Sequence, residues 1–261
     1  MGVSRGVCEQ LRRSIEAAEF AARVAKVRPM FQEKFFAAQR GLYRDGADTA
    51  HASLHANLFP LVFGLVPEAN RAKVAEWLAG RGMRCSVYAA QYLLEGLFEH
   101  GQAGAAIELI VAPGDRSWRH MVESGATITW EAWDQKYKPN QDWNHAWGAA
   151  PANLLPRYVL GVRPLAPGWK EALVQPNCGS LTSASGRIPT PRGPIENEWK
   201  RGATFDLSLS LPPKVAARVE LPTFTGAKQV LLNGKPVGAK LAGGRWVLAP
   251  AVYGKVHIQL R

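Results

Sequence analysis

Apolar residues recur at steps of three and four through roughly the first 160 positions and at steps of two from about residue 171, so helices are expected first and strands after them. Phe20, Val24, Val27, Phe31 and Phe35 predict one buried face of a long helix. Leu11, Ile15, Ala18 and Ala22 extend that face upstream, and Pro29 is expected to kink or divide it. Beyond a turn-rich link from Gly41 to Asp48, Leu54, Leu58, Leu61 and Leu65 mark a second helix. Others are expected near 68–80 (Val74, Trp77, Leu78), 86–98 (Val87, Gln91, Leu94, Phe98) and 102–112 (Ala106, Leu109, Ile110). A last one around 146–160 carries Leu154, Tyr158 and Val159, with Gly161 where a left-handed C-cap belongs. Short connections between them imply antiparallel helical hairpins.

In the remainder, Phe205, Leu207, Leu209 and Leu211 alternate with Asp206, Ser208 and Ser210. Val215, Ala217, Val219 and Leu221 repeat the alternation, as do Val256, Ile258 and Leu260. Asn233-Gly234 between two apolar runs signals a hairpin turn, because both residues tolerate positive φ. Short strands at regular spacing close most naturally as a β-sandwich. The Pro-rich stretch Val162 to Trp169 sets the expected boundary, giving a helical domain at 1–162 and a strand domain at 163–261.

A hydrophobic fraction of 47% in 261 residues supports a substantial core. No apolar run is long enough to span a membrane, and the first residues, Met1 to Arg13, lack a signal-peptide core. Cys8, Cys85 and Cys178 are scattered and odd in number, which argues against a disulfide framework or a metal-ligand spacing. The formal charge of +11 raises nucleic acid as a partner, but its distribution argues otherwise. Residues 1–162 carry 18 Lys+Arg against 16 Asp+Glu, and residues 163–261 carry 14 against 5, spaced singly. That pattern is a solvated basic surface, and no nucleic-acid or membrane partner is expected.

Chemistry concentrates at Thr129-Trp130-Glu131-Ala132-Trp133-Asp134 and Asn144-His145-Ala146-Trp147-Gly148. Four of the nine tryptophans fall between Trp130 and Trp147, with Asp134, Asp142 and His145 among them. Packed indoles restrict water around a carboxylate, which either raises its pKa or aims it at one bound molecule. Indole faces also match the C–H face of a pyranose. The plainer alternative is that the tryptophans are core and Glu131 caps a helix or pairs with an arginine. The polar loop Gln135 to Trp143 between the two motifs favours a site, since it delivers both aromatic segments to one place. The cluster reads as the floor of a sugar site with Glu131 as its acid–base residue.

These motifs, followed by L-P-R-Y-V-L-G-V-R-P from Leu155, resemble the C-terminal part of bacterial α-L-rhamnosidases. P-G-W-K-E-A-L-V-Q-P and L-P-P-K-V-A-A-R-V-E-L-P are similar to that family's terminal β-sandwich. Upstream, G-L-Y-R-D-G, H-A-N-L-F-P-L-V-F-G-L-V-P and C-S-V-Y-A-A-Q-Y-L-L-E-G-L-F resemble its later barrel helices, so the likeness covers essentially the whole chain. It implies an α+β multidomain chain, a partial six-hairpin (α/α) barrel followed by a C-terminal β-sandwich. It further implies inverting hydrolysis of terminal α-L-rhamnosyl linkages, in which one carboxylic acid protonates the leaving oxygen and an opposed carboxylate activates water. Glu131 takes the position of the general base. His145 takes that of a rhamnose contact, and Trp130 and Trp133 line the same pocket; Asp134, Asn144 and Trp147, from the same two motifs, are expected to bind substrate with them. No cofactor is implied. The partner is a rhamnose-containing oligosaccharide or glycoside.

The family's general acid lies in an Asp- and Arg-rich motif of the earlier barrel half that no segment here matches. Lys214 stands where the sandwich motif commonly has Asn, and the loop from Glu131 to His145 is short for the family. An incomplete chain is therefore expected, with self-association through uncovered barrel edges. The alternatives are a non-catalytic carbohydrate-binding or assembly protein that keeps the pocket, and a fragment without independent function. Elsewhere, His51 and His55 share a helical face, but Ala52 stands where a zincin has Glu. Asp45 and Asp48 are expected to serve the turn and the following helix start, and Asp115-Arg116 only a loop.

Overall fold

The computed structural model describes residues 6–9 and 11–261. Met1 to Arg5 and Gln10, within the stretch read above as lacking a signal-peptide core, lie outside the described residues. The chain packs as two compact units, Met1–Gln102 and Ala103–Arg261. This division falls earlier than the change from helical to strand periodicity, because the helices after residue 103 pack within the same unit as the strands.

The first unit opens with helix α1 (Ser14–Phe35), which runs through Pro29 undivided. Its apolar stripe is not the buried face that the spacing implied. Ala17 alone is buried, while Ile15 is 74% and Val27 47% exposed. Periodicity identifies an apolar face; it does not supply the neighbour that would cover it. A short hairpin follows, β1 (Phe36–Ala37) with β2 (Leu42–Tyr43), its turn placing Gly41 at φ +68°. Helices α2 (Leu54–Val62), α3 (Glu68–Ala79) and α4 (Val87–Glu99) pack together through Leu58, Leu61, Val74, Leu78, Leu93 and Leu97. Leu65, expected on the α2 stripe, lies beyond the helix end and is half-buried.

Serine side chains start two of these helices, Ser53 accepting from Ala56 N–H and Ser86 from Ala89 N–H. Asn57 is wholly buried without being orphaned. Its Oδ1 accepts from Tyr43 N–H at 2.8 Å and its Nδ2 donates to Tyr43 O at 3.1 Å, which fixes the hairpin to α2. Asp45 serves the turn as expected, accepting from Ser53 N–H at 2.7 Å and pairing with His51.

The second unit begins with α5 (Ala103–Ile110) and α6 (Trp118–Glu123), the latter not expected from the sequence. Buried Ser117 caps α6 by accepting from His120 N–H at 3.1 Å. After the motif loop come a 3-10 turn (Ala146–Gly148), α7 (Ala150–Leu154) and a π-helical turn (Leu155–Val159). Gly161 has the expected left-handed conformation, φ +82°, and a Cβ there would fall 2.4 Å from the Gln175 carbonyl carbon.

The strands are β3 (Val162–Pro164), β4 (Glu171–Val174), β5 (Ser183–Ile188), β6 (Ile195–Arg201), β7 (Phe205–Ser210), β8 (Ala216–Pro222), β9 (Val230–Leu232), β10 (Lys235–Pro236), β11 (Ala239–Ala242), β12 (Arg245–Leu248) and β13 (Lys255–Leu260). They form a six-stranded sheet ordered β10-β9-β13-β7-β6-β5 and a five-stranded sheet ordered β11-β12-β8-β4-β3, the two sheets of a β-sandwich. All ladders are antiparallel except β4 with β8. Asn233 and Gly234 lie at φ +50° and +79° in the β9–β10 hairpin, the positive pair that a two-residue type I′ turn requires. Alternation reads directly as burial: Phe205, Leu207, Leu209, Ala217, Val219, Leu221, Ile258 and Leu260 are all buried. Each large aliphatic or aromatic side chain so buried contributes about 1.5–3 kcal/mol. Trp199 on β6 stacks on Phe205 and donates from Nε1 to Val159 O at 3.0 Å, while Asn197 Nδ2 donates to Leu160 O at 2.9 Å. These two bonds fasten the end of the helical segment to the six-stranded sheet, which fixes the base of the motif loop.

Candidate functional site

The two sequence motifs meet as a pair of crossing segments within the second unit. His145 N–H donates to Thr129 O at 2.8 Å, and Thr129 Oγ1 donates back to His145 O at 3.0 Å. Two residues along, Glu131 N–H donates to Asp142 O at 3.0 Å, and Asp142 N–H donates to the Glu131 Oε2 at 3.1 Å. Close approach needs a residue without a side chain on the neighbouring turn. Gly148 supplies it, for a Cβ there would lie 2.6 Å from Trp130 O and 2.8 Å from Thr129 Cβ.

Glu131 is brought to the centre of this crossing with only 12% of its side chain exposed. Its Oε1 pairs with Lys138 Nζ, and its Oε2 has the Asp142 N–H. The Lys138 ammonium, with the Asp142 amide next and nearby His145 contributing, holds the Glu131 carboxyl below the usual glutamate range against the opposing effect of burial. Of the two roles a carboxylate among indoles could take, this one suits a base that is ionised at neutral pH. His145 Nδ1 lies 3.3 Å from Asp142 Oδ2, and its ring lies 4.1 Å from that of Trp147. Trp147 Nε1 donates to Glu131 O at 3.3 Å.

The tryptophans divide into two kinds. Trp130 and Trp133 are buried, Trp133 edge-on to Trp118 at 4.8 Å and Trp130 edge-on to Trp143 at 4.7 Å. Trp118 Nε1 donates to Gly148 O at 2.6 Å. Trp143 and Trp147 are exposed, at 49% and 44%, and offer the accessible indole faces. Asn144 is exposed between them. Asp134 sits on the other side of the loop, where it accepts from Lys136 N–H at 3.0 Å and meets His120 Nε2 at 2.8 Å. Those two partners, the backbone amide first, lower its pKa.

Sequence reasoning did not single out Lys138, His120 or Trp118 for roles here, and it counted Trp143 only as a member of the aromatic cluster. Lys138 reaches Glu131 only through the turn at Pro139-Asn140, and Trp118 and His120 arrive on the unforeseen α6; Ser117 before an apolar turn was the one available signal. The ligating atoms of Glu131, Asp142 and His145 lie within 4.8 Å of one another. One imidazole with two carboxylates can hold a divalent ion, but Lys138 already places a positive charge on Glu131. His51 and His55 do not gather a third ligand among the described residues; His51 pairs with Asp45, and the His55 ring lies 6.0 Å from that of Phe59.

Comparison with known proteins matches residues 5–159 to the bacterial α-L-rhamnosidase six-hairpin glycosidase domain and residues 161–235 to the bacterial α-L-rhamnosidase C-terminal domain. An α-L-rhamnosidase of Alteromonas sp. (strain LOR) is 30% identical over 182 residues, 64% of this chain and 20% of that protein. One from Formosa agariphila is 28% identical over 231 residues, 82% of this chain and 24% of that protein. The chain thus spans about a fifth to a quarter of these relatives. Among solved structures, the α-L-rhamnosidase from Dictyoglumus thermophilum superposes with a TM-score of 0.86 at 21% identity, covering 98% of this chain and 30% of that one. The Streptomyces avermitilis α-L-rhamnosidase complexed with L-rhamnose gives 0.77 at 21% identity, over 98% and 26%. Matches that run through both the helical and the strand segments leave one assignment: the chain belongs to the bacterial α-L-rhamnosidase family of six-hairpin glycoside hydrolases.

Proposed function

We propose that the site centred on Glu131 binds a terminal α-L-rhamnosyl group, and that Glu131 is the general base of its inverting hydrolysis. The observation that carries this reading is a largely buried carboxylate held between Lys138 Nζ and the Asp142 amide, beside the paired rings of His145 and Trp147. On this reading Trp147 receives the C–H face of the sugar, His145 and Asn144 take its hydroxyls, and buried Trp130 and Trp133 form the floor beneath. Asp134 fixes the loop through His120. The complex of a relative with L-rhamnose supports the choice of sugar. Residues 1–162 then belong to the catalytic barrel and 163–261 to the sandwich domain.

An inverting reaction requires a second carboxylic acid about 6.5–9.5 Å from the base. Nothing in this sequence matches the motif that supplies it, so we assign the chain the binding half of the reaction and the base. By itself it holds the sugar without releasing it. In a polypeptide where this sequence hydrolyses an aryl α-L-rhamnoside, Glu131→Gln should lower kcat by about 100- to 10,000-fold with an unchanged thermal melt. Near-normal turnover by the variant would remove Glu131 from the mechanism.

A further inference from the structure

The geometry points to Lys138 as a positioning residue for Glu131: delivered by a fastened loop, its ammonium fixes one carboxylate oxygen while the other, held by the Asp142 amide, keeps one acceptor position for water. The inference rests on the reading of Glu131 as the base, and it concerns a residue that neither motif contains.

Lys138 lies seven positions from Glu131 and opens the turn through Pro139-Asn140, which Gln141 N–H closes onto Lys138 O at 3.0 Å. Several independent contacts hold the turn down. Gln141 Oε1 accepts from Ala132 N–H at 3.2 Å, next to Glu131 itself. Tyr137 donates from its hydroxyl to Asp115 Oδ2 at 2.9 Å, Lys136 pairs with the same carboxylate, and the Arg116 guanidinium lies 4.4 Å over the Tyr137 ring. Asp134 is tied to His120 on α6. A lysine on a free loop would lose rotamer entropy on pairing and gain little. Here the backbone is already placed, so only the side chain is ordered when the pair forms.

The ionisable groups around Glu131 are Lys138, Asp142 and His145, and they act in different ways. The Asp142 side chain is 70% exposed and contributes mainly through its backbone amide on Oε2. His145 acts through space. Lys138 bonds the carboxylate directly with its side chain. An ionised carboxylate has about four acceptor positions. With Oε1 turned toward Lys138 and one position of Oε2 toward the Asp142 amide, rotation is blocked and the remaining position of Oε2 is set for a water molecule. The same contact keeps the base ionised at lower pH, extending the acid side of its working range.

The test is the ionisation of Glu131 in the intact chain, followed by the side-chain carboxyl carbon resonance and assigned by its disappearance in Glu131→Gln. The wild type should titrate below ordinary glutamates. Lys138→Met should move the midpoint upward, and Lys138→Arg should restore it, because the charge and the donor return. Lys138→Gln, which keeps a donor and removes the charge, replaces the methionine variant if that one loses the near-ultraviolet tryptophan signal of the folded loop. A wild-type midpoint at or above the ordinary glutamate value overturns the inference, as does an uncharged variant that titrates like wild type. Because ionisation is read without turnover, the result stands apart from the kinetic test of Glu131.

Discussion

Gly148 is the position where a single methyl group should separate the two halves of the site. Its Cβ would lie 2.6 Å from Trp130 O, 2.8 Å from Thr129 Cβ and 3.1 Å from Thr129 Oγ1, all nearer than ordinary van der Waals contact. Thr129 cannot retreat freely, since its carbonyl and hydroxyl are both bonded to His145. Nor can the turn at Gly148, whose carbonyl accepts from Trp118 Nε1 at 2.6 Å. Gly148 lies outside the left-handed region, so the cost of alanine is steric rather than a matter of φ. Overpacking of this kind costs about 1–3 kcal/mol, and each 1.4 kcal/mol is about tenfold in the unfolding equilibrium. Eight of the nine tryptophans fall in the second unit, so tryptophan fluorescence during urea unfolding reports mainly on it. Gly148→Ala should lower the midpoint at an unchanged slope. Gly104→Ala, at a helical glycine whose added Cβ meets nothing within 4 Å, is the control and should be neutral or stabilising by up to about 1 kcal/mol. If the two variants unfold at the same midpoint, the close approach that builds the site is wrong.

Leu11, Ile15, Val27 and Met30, along the opening segment of the first unit, are 47–74% exposed, and uncovered apolar side chains of this kind favour association. The isolated chain should therefore self-associate, and light scattering that finds a monodisperse monomer would contradict this. Asp45 offers a pH test in the first unit. The Ser53 backbone amide and then His51 depress its pKa from 3.8 to about 2. A depressed carboxylate stabilises the fold fully above its unfolded pKa, and that contribution fades as pH falls toward the folded value. Helical circular dichroism melts should lose stability through that window, and Asp45→Asn should remove the Asp45 share of the loss; identical pH profiles would refute it.

The parts legible in the sequence were those written in short-range pattern. Alternation over 205–211 read directly as alternating burial, over 215–221 it did so except at buried Glu220, and Asn233-Gly234 read as a turn because its chemistry is local. The α1 stripe is covered only in part, because spacing reports which face is apolar and not how far a neighbour extends: Phe31 stacks on Tyr43, while Ile15 and Val27 stay exposed. Helix α6 was missed because six residues hold fewer than two turns, too few to establish a period. Glu131 and His145 were legible as residues, but their union with Lys138 was not. It depends on a loop closed by Gln141, Tyr137 and Asp134, contacts with no periodic trace in the sequence.

The most direct test of the central claim is a titration of the chain with L-rhamnose, followed by the indole N–H resonances of its tryptophans. Binding at the site described here should shift the Trp147 resonance, and that of the neighbouring exposed Trp143, saturably. Trp199, buried in the sandwich, should stay in place, and His145→Ala should weaken the response. Indole resonances that do not move with L-rhamnose, or that move equally in His145→Ala, would contradict the assignment of this cluster as a rhamnose site.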